Sequence, residues 1–380
     1  MSAEWPLSRP AEWRRESTVA PVELSGFVVR EGGPLPEGVV AVKGERAGVR
    51  SRADRASAGP TGAAWVDSNG WRIRLARLRN PSRTIWLETE APKADEVMTV
   101  EQHLVGIADA GAYGGRWVIS LDPALARGIA EKKAESLHGW ERIGAAARFF
   151  ERHAEWDALP ARAVLAVLSD FSGENEFLSQ EILNLAARQQ LPYLLLDKAN
   201  LQSLPAGLKA VVYADAQAPS STLRTALARF AAGGGLLITG AAWGKVEGTP
   251  LAESPTVRYA VYPAGKGRIA MGTEMSDPYL VAADAQVLLS HRNDVVRMWN
   301  GGAISVYLTG DERRAVVHLI NYTGRPGADD LSVWVVGTYR KAVMYDLETK
   351  EPKTLAIVPQ RGGAELHLPQ VAVYAAVELT

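Results

Sequence analysis

The stretch Ala163-Val-Leu-Ala-Val-Leu-Ser is apolar at six successive positions, and no other feature restricts the fold as strongly. A strand wetted on one face alternates apolar and polar residues. One that does not alternate must be covered on both faces, as parallel strands are beneath crossover helices. The following residues supply those helices. Glu174–Gln190 reads as a helix with Phe177, Leu178, Ile182 and Leu185 on one side, and Pro192–Asp197 and Leu208–Ala214 read as further strands. The next helix starts at Ser220 or Ser221, carries Leu223, Leu227 and Phe230 at i, i+4 and i+7, and stops at Gly233-Gly-Gly. With Leu236-Leu-Ile-Thr-Gly and Gly267-Arg-Ile-Ala-Met-Gly as later strands, the order predicts a small doubly wound sheet.

The residues before it show a related rhythm. Ala64–Ser68 and Thr84–Thr89 read as strands flanking a basic helix or turn over Trp71–Arg79. Thr99-Val-Glu-Gln is a capping-box signature, and its helix runs to the Gly111, Gly114, Gly115 cluster. Arg116–Leu121 reads as a strand and about Pro123–His153 as one long helix, with Trp140, Ile143, Ala147 and Phe150 on one face. This β–α–β–α order implies parallel strands with right-handed crossovers. After a helix near Pro278–His291 the rhythm changes to short strands separated by Gly, Pro, Asn and Asp, which predicts an antiparallel β-sandwich. The α/β multidomain chain of 380 residues thus divides at 1–157, 158–290 and 291–380, with Glu155–Arg162 as a boundary.

Charge and composition exclude several functions. The 43 acidic and 42 basic residues nearly cancel, which removes the general electrostatic case for nucleic acid or an anionic membrane. With no cysteine, thiolate nucleophiles, disulfides and Cys-ligated metals are excluded. Histidines 103, 138, 153, 291, 318 and 367 have no HxxxH or HxH spacing, and His318 reads as a structural strand residue. Gly26 and Gly32-Gly33 make no GxGxxG and there is no P-loop, so neither metal nor cofactor is expected. The locally basic Lys43–Arg55 reads as a solvated loop, with an anion or subunit contact as the alternative. The first residues carry no apolar stretch of signal-peptide length, and no window approaches ~18 apolar residues. A soluble, cytoplasmic protein is expected, and a trimmed exported one would look the same.

Lys209–Ala216, the helix after Ser220 and Gly233–Gly240 together resemble the rear portion of glycoside hydrolases of the family 42 type. Arg314–Thr323 and the closing strand Val371–Leu379 carry the same likeness, which covers roughly residues 160–380. The resemblance implies a (β/α)8 barrel followed by a glutamine-amidotransferase-like trimerisation domain and a β-sandwich. A barrel takes about 250 residues and rarely fewer than ~200. The N-terminal region is shorter than that, so it is expected to be a partial (β/α) barrel. The amidotransferase-like domain, lacking a cysteine, is left with a scaffold or oligomerisation role.

Within the N-terminal region, alternation places Trp86, Glu88 and Glu90 on one face of a strand and Ile85, Leu87 and Thr89 on the other. The first set predicts an aromatic floor with two carboxylates at a strand's carboxyl end, where barrel enzymes place their sites. The same alternation groups Trp65, Asp67 and Asn69 ahead of Trp71, and Asp122 closes the third strand. Glycosidic cleavage uses two carboxylates, and tryptophan faces stack on sugars. Glu88, Glu90 and Asp67 are therefore the candidate catalytic residues, with Trp65, Trp71, Trp86, Asn69 and Asp122 as candidate carbohydrate contacts. Plainer readings stand beside these: solvated strand-end residues for Glu88 and Glu90, a turn or cap for Asp67, and a helix N-cap before Pro123 for Asp122. The chain is expected to hydrolyse carbohydrate or, alternatively, to bind it as a non-catalytic scaffold, and to oligomerise to cover its open sheet edges.

Overall fold

The computed structural model describes residues 2–4, 28–30, 35–49, 51–52, 55–56, 66–327, 330–349 and 351–380. Trp65, Gly26 and Gly32-Gly33 lie outside them. The first layer is built on β1 (Val39–Lys43), the short pair β2 (Gly48–Val49) and β3 (Val66–Asp67), α1 (Gly70–Arg79), β4 (Thr84–Glu88), α2 (Val100–Gly111) and β5 (Arg116–Trp117). β4 is the centre of a three-stranded parallel sheet, with Lys43 opposite Glu88 and Leu87 opposite Trp117. Among the described residues the strands do not close into a barrel.

Local chemistry sets the helix starts. Thr99 Oγ1 accepts from Gln102 N while Gln102 Oε1 accepts from Thr99 N, the reciprocal pair of a capping box. Asp122 caps α3 (Pro123–Ala130), its carboxylate accepting from Ala124 N and Leu125 N at 3.0 Å each. The helix expected to continue to His153 breaks instead: α4 (Ala134–Arg152) restarts after Lys132, whose φ of 54° leaves the helical region. The expected strand over Arg116–Leu121 is interrupted at Val118, whose N–H donates to Leu87 O.

The second layer is a six-stranded sheet made of β6 (Leu165–Ser169), β7 (Tyr193–Asp197), β8 (Ala210–Tyr213), β9 (Leu236–Thr239), β10 (Tyr259–Ala264) and β11 (Gly267–Gly272). Their order is β7-β6-β8-β9-β11-β10, parallel except for the antiparallel edge strand β10. Helices α5 (Glu176–Arg188) and α7 (Pro278–Leu289) pack on one face, and α6 (Ser221–Ala232), capped by Ser220, covers the other. All five residues of β6 are buried, as the unbroken apolar run requires.

The last strands form two antiparallel sheets. One is β12 (Val296–Trp299), β15 (Leu331–Val336), β19 (Gly363–Leu368) and β18 (Val358–Gln360), in that order. The other is β13 (Ile304–Gly310), β14 (Ala315–Asn321), β20 (Tyr374–Leu379), β16 (Ala342–Asp346) and β17 (Lys353–Leu355). β14 is buried at all seven positions because its sheet is covered twice. Val317 and Leu319 face the other sheet, whereas Val316 and Ile320 pack into the core of α2 and α4. The boundary segment is tied to the same sheet, with Arg162 N donating to Leu308 O and Gly310 N to Pro160 O. Among the described residues no helix is long and apolar enough to cross a membrane.

Candidate functional site

Three parallel strands bring their carboxyl ends to one edge of the first sheet. Lys43 ends β1, Glu88 ends β4, and Ser120 and Asp122 follow β5. The loops leaving that edge hold one another. Gly44 N donates to Glu88 O at 2.8 Å, and Arg46 Nη2 donates to Glu96 Oε2 at 3.0 Å, joining the segments after β1 and β4. The Arg46 hydrogen bond holds the Glu96 carboxyl below its ordinary range. Beneath them, His103 is fully buried, with Nδ1 2.9 Å from Thr99 O. Burial pushes its pKa down, against the opposing pull of the Thr99 and Ser120 carbonyls and the Asp122 charge.

The structure places the sequence-nominated residues unevenly. Glu88 is half-buried at the sheet edge and has polar company, and Glu90 is exposed just beyond it. Trp86 does not form an open aromatic floor: it is 2% exposed, because β4 is the central strand of a parallel sheet covered on both faces. Trp71 is also buried, packed among Leu183, Tyr193 and Val281 of the second layer, so it offers no free stacking face. Asn69 is fully buried and structural, exchanging hydrogen bonds with the Glu45 backbone and donating to Asp109. Asp122 is the N-cap described above and is likewise fully buried. Asp67 pairs along β2 and lies in the field of Arg188 and Glu181 of α5.

Two polar networks carried no local signal. The first centres on Asp109 in α2, which accepts from Asn69 N, from Asn69 Nδ2 at 2.8 Å and from Tyr322 Oη at 2.7 Å. Burial raises its pKa from 3.8 to about 6, with the Tyr322 and Asn69 hydrogen bonds opposing the shift. The second lies at the carboxyl ends of β6 and β8, where the strand order reverses and doubly wound sheets ordinarily take ligands. Ser169 Oγ donates to Asp215 Oδ1 at 2.6 Å, and the Lys198 ammonium pairs with Asp215 and, at 3.0 Å, with Asp170. Arg79 reaches in from α1, binding Asp197 Oδ2 at 2.6 Å and Asp170 O at 2.7 Å. The basic helix of the sequence is therefore a strut between layers: Arg74 also donates to Tyr193 O, and Arg77 to Gly114 O and Asp157 O.

Comparison with known proteins gives a fold likeness at low identity. No protein-family model matches the chain, and no curated protein sequence is similar to it. The structure resembles alpha-L-fucosidase isoenzyme 2 from Paenibacillus thiaminolyticus with a TM-score of 0.56 and 12% identity, over 78% of this chain and 60% of that one. It resembles a rhamnosidase from Novosphingobium sp. PP1Y with a TM-score of 0.51 and 12% identity, over 77% of this chain and 31% of the other. A GH42 beta-galactosidase from G. stearothermophilus is similar over 81% of this chain and 65% of its own, at 11% identity and a TM-score of 0.49. The chain thus spans less than two thirds of the length of each of these structures, and its structural neighbours are GH42 beta-galactosidases and other glycoside hydrolases.

Proposed function

We propose that this is a carbohydrate-active protein of glycoside-hydrolase architecture, whose sugar site lies at the carboxyl edge of the first sheet with Glu88 as the carboxylate that touches substrate. One observation carries the reading: Glu88 ends the central strand of a parallel sheet, at the edge where the connecting loops gather. Glu90, two residues on, is the candidate partner carboxylate. Asp67 takes a third and lesser place, because it faces Arg188. Hydrolysis requires one carboxyl to protonate the leaving oxygen and a second to attack or to activate water. The first sheet is read as part of a (β/α) barrel over residues 1–157. The doubly wound unit over 158–290 is read as an amidotransferase-like scaffold, and 291–380 as the sandwich.

The test is turnover of a panel of aryl glycosides. Wild type is expected to release aglycone, and Glu88→Gln to lose roughly 100-fold or more of that rate while still binding the sugar. Turnover unchanged in both Glu88→Gln and Glu90→Gln would refute the assignment. A second reading, non-catalytic carbohydrate binding, is favoured by the commitment of Asp122 to its helix cap and of Asp67 to its Arg188 environment. That reading expects binding without turnover, lost in Glu88→Gln. In either case we read the protein as a homo-oligomer, and a light-scattering mass of one chain would contradict this.

A further inference from the structure

The outward face of the four-stranded sheet carries a cavity remote in sequence from Glu88. It has a volume of about 590 Å³, within the range of small-ligand sites, and lies where the end of α7 meets β12, β15 and the turn after β18. Its lining combines Trp299 and Trp334 with Arg292, Arg297 and Arg361 and contains no carboxylate. A smaller cavity of about 310 Å³ adjoins it, sharing Gln286, His291, Arg297 and Trp299.

The register makes the two indoles neighbours. Arg297 pairs with Trp334 and Trp299 with Ser332 across β12 and β15, so both tryptophans lie on one face in diagonal positions. Trp299 is 44% exposed, unusual for so large an apolar side chain. Trp334 is fixed by its Nε1–H, which donates to Gln360 O at 2.8 Å, and the Arg297 guanidinium lies 5.8 Å from its ring. Arg297 is oriented in turn by Asp294, which accepts from its Nε at 2.7 Å and lies 2.8 Å from His291 Nδ1. Arg292 and Arg361 are exposed, and among the described residues no carboxylate pairs with either. Glu365, opposite Trp334 on β19, is 4.0 Å from His367 and does not line the cavity.

The backbone around this face is strained in a concentrated way. Ser290, Asn300 and Arg361 have φ of 69°, 62° and 49°, and Gln190, in the adjoining cavity, has 58°. These four are most of the six non-glycine residues with positive φ among those described. Such conformations gather where a fold must hold groups for a ligand.

We propose that this face binds an acidic saccharide, a sugar chain bearing carboxylate or sulfate groups. The exposed Trp299 stacks against a pyranose ring, the buried Trp334 backs Arg297 from beneath, and Arg292, Arg297 and Arg361 take the anionic substituents. The ligand class rests on the carbohydrate reading above, but the site does not share residues with it. The experiment is titration of intrinsic tryptophan fluorescence and heat with oligogalacturonate, with a sulfated oligosaccharide and with a neutral oligosaccharide of equal length. Binding of either acidic probe, weakened by salt and stronger than the neutral one, is expected. Trp299→Ala, Arg361→Gln and Arg292→Gln should each weaken it roughly tenfold, and Glu88→Gln should leave it unchanged. All three altered side chains are exposed, so the variants should fold, and circular dichroism checks this. No binding of either acidic probe, equal binding of the neutral one, or wild-type affinity in the variants would overturn the proposal. So would a light-scattering mass that falls in Trp299→Ala without any saccharide binding, since a second copy would then be the occupant. Wild-type-like turnover in Glu88→Gln with acidic-saccharide binding intact here refutes only the Glu88 reading, and turnover lost in Glu88→Gln with no acidic-saccharide binding here refutes only this one.

Discussion

Asp109 should make this protein less stable as pH rises through the range where most carboxylates contribute the opposite. Its side chain is fully buried, and its native pKa of about 6 stands above the ordinary 3.8. A raised native pKa means the folded chain holds the proton more tightly than the unfolded chain, so unfolding releases it. Stability from this group is therefore complete below about pH 4 and is lost as pH climbs through about 6. A displacement of about two pKa units corresponds to about 3 kcal/mol. His318 has the contrary sign over an overlapping window. Burial holds its pKa at about 3, so its contribution is present above the unfolded value of 6.5 and is lost as pH falls. Only the difference between wild type and a variant isolates Asp109. Asp109→Asn preserves shape and removes the ionisation. Its stability relative to wild type, from urea unfolding followed by tryptophan fluorescence, should improve by about 3 kcal/mol between pH 4 and pH 7.5. Tyr322→Phe deletes the 2.7 Å donor to the carboxylate. It should cost about 1.5–3 kcal/mol at pH 7.5, where the acceptor is charged, and less at pH 4. Parallel pH profiles for wild type and Asp109→Asn would refute the argument, because they would mean the carboxyl does not titrate differently in the folded state.

Thr99→Ala removes the side-chain half of the capping box on α2 and should cost about 1 kcal/mol by the same unfolding assay, with Thr99→Ser close to wild type. Gly267→Ala would place a methyl group against the carbonyl oxygens of Gly235 and Ala231, which are backbone and cannot swing aside. A loss of about 1–3 kcal/mol or more is expected, and a melting temperature equal to wild type would show that β11 has room.

The elements legible in the sequence are those whose signals are local. Thr99 and Gln102 are three residues apart and cap as their spacing requires; Asp122-Pro123 and Ser220 do the same, and Gly233 ends α6. β10 and β12 were not legible. Val296-Arg-Met-Trp is only four residues long, too short for its alternation to stand out, and its partner β15 is supplied from more than thirty residues away. The burial of Trp86 has a physical cause that alternation does not reveal. Alternation distinguishes two faces of a strand, but only in a sheet wetted on one side does it separate dry from wet, and β4 is parallel and central. Hence Trp86 is as buried as Ile85 and Leu87, while Glu88 stays accessible because it ends the strand. The Asp109–Tyr322 and Arg79–Asp197 contacts join residues 213 and 118 positions apart, and no periodicity reaches that far.

The crevice of the doubly wound sheet is filled by the chain's own side chains. Composition removes a thiolate, and the structure shows cations of the chain itself where such folds take ligands: Lys198 between Asp215 and Asp170, and Arg79 on Asp197. Asp215 and Asp197 side chains are each 1% exposed, whereas Lys198 keeps 22% of its surface. Burial pushes the Asp215 pKa up, and Lys198 and Ser169 oppose the shift. Removing the ammonium while keeping its stem, as Lys198→Met does, leaves a buried carboxylate with Ser169 as its remaining partner. Such a loss costs about 3–5 kcal/mol for a dry pair, and the partly wet lysine places this one near the lower end. Adding Asp215→Asn should recover most of the loss, a coupling that a double-mutant cycle by urea unfolding would read directly. If Lys198→Met cost less than about 1 kcal/mol, the pair would behave as a surface ion pair. The crevice would then be open to an outside ligand.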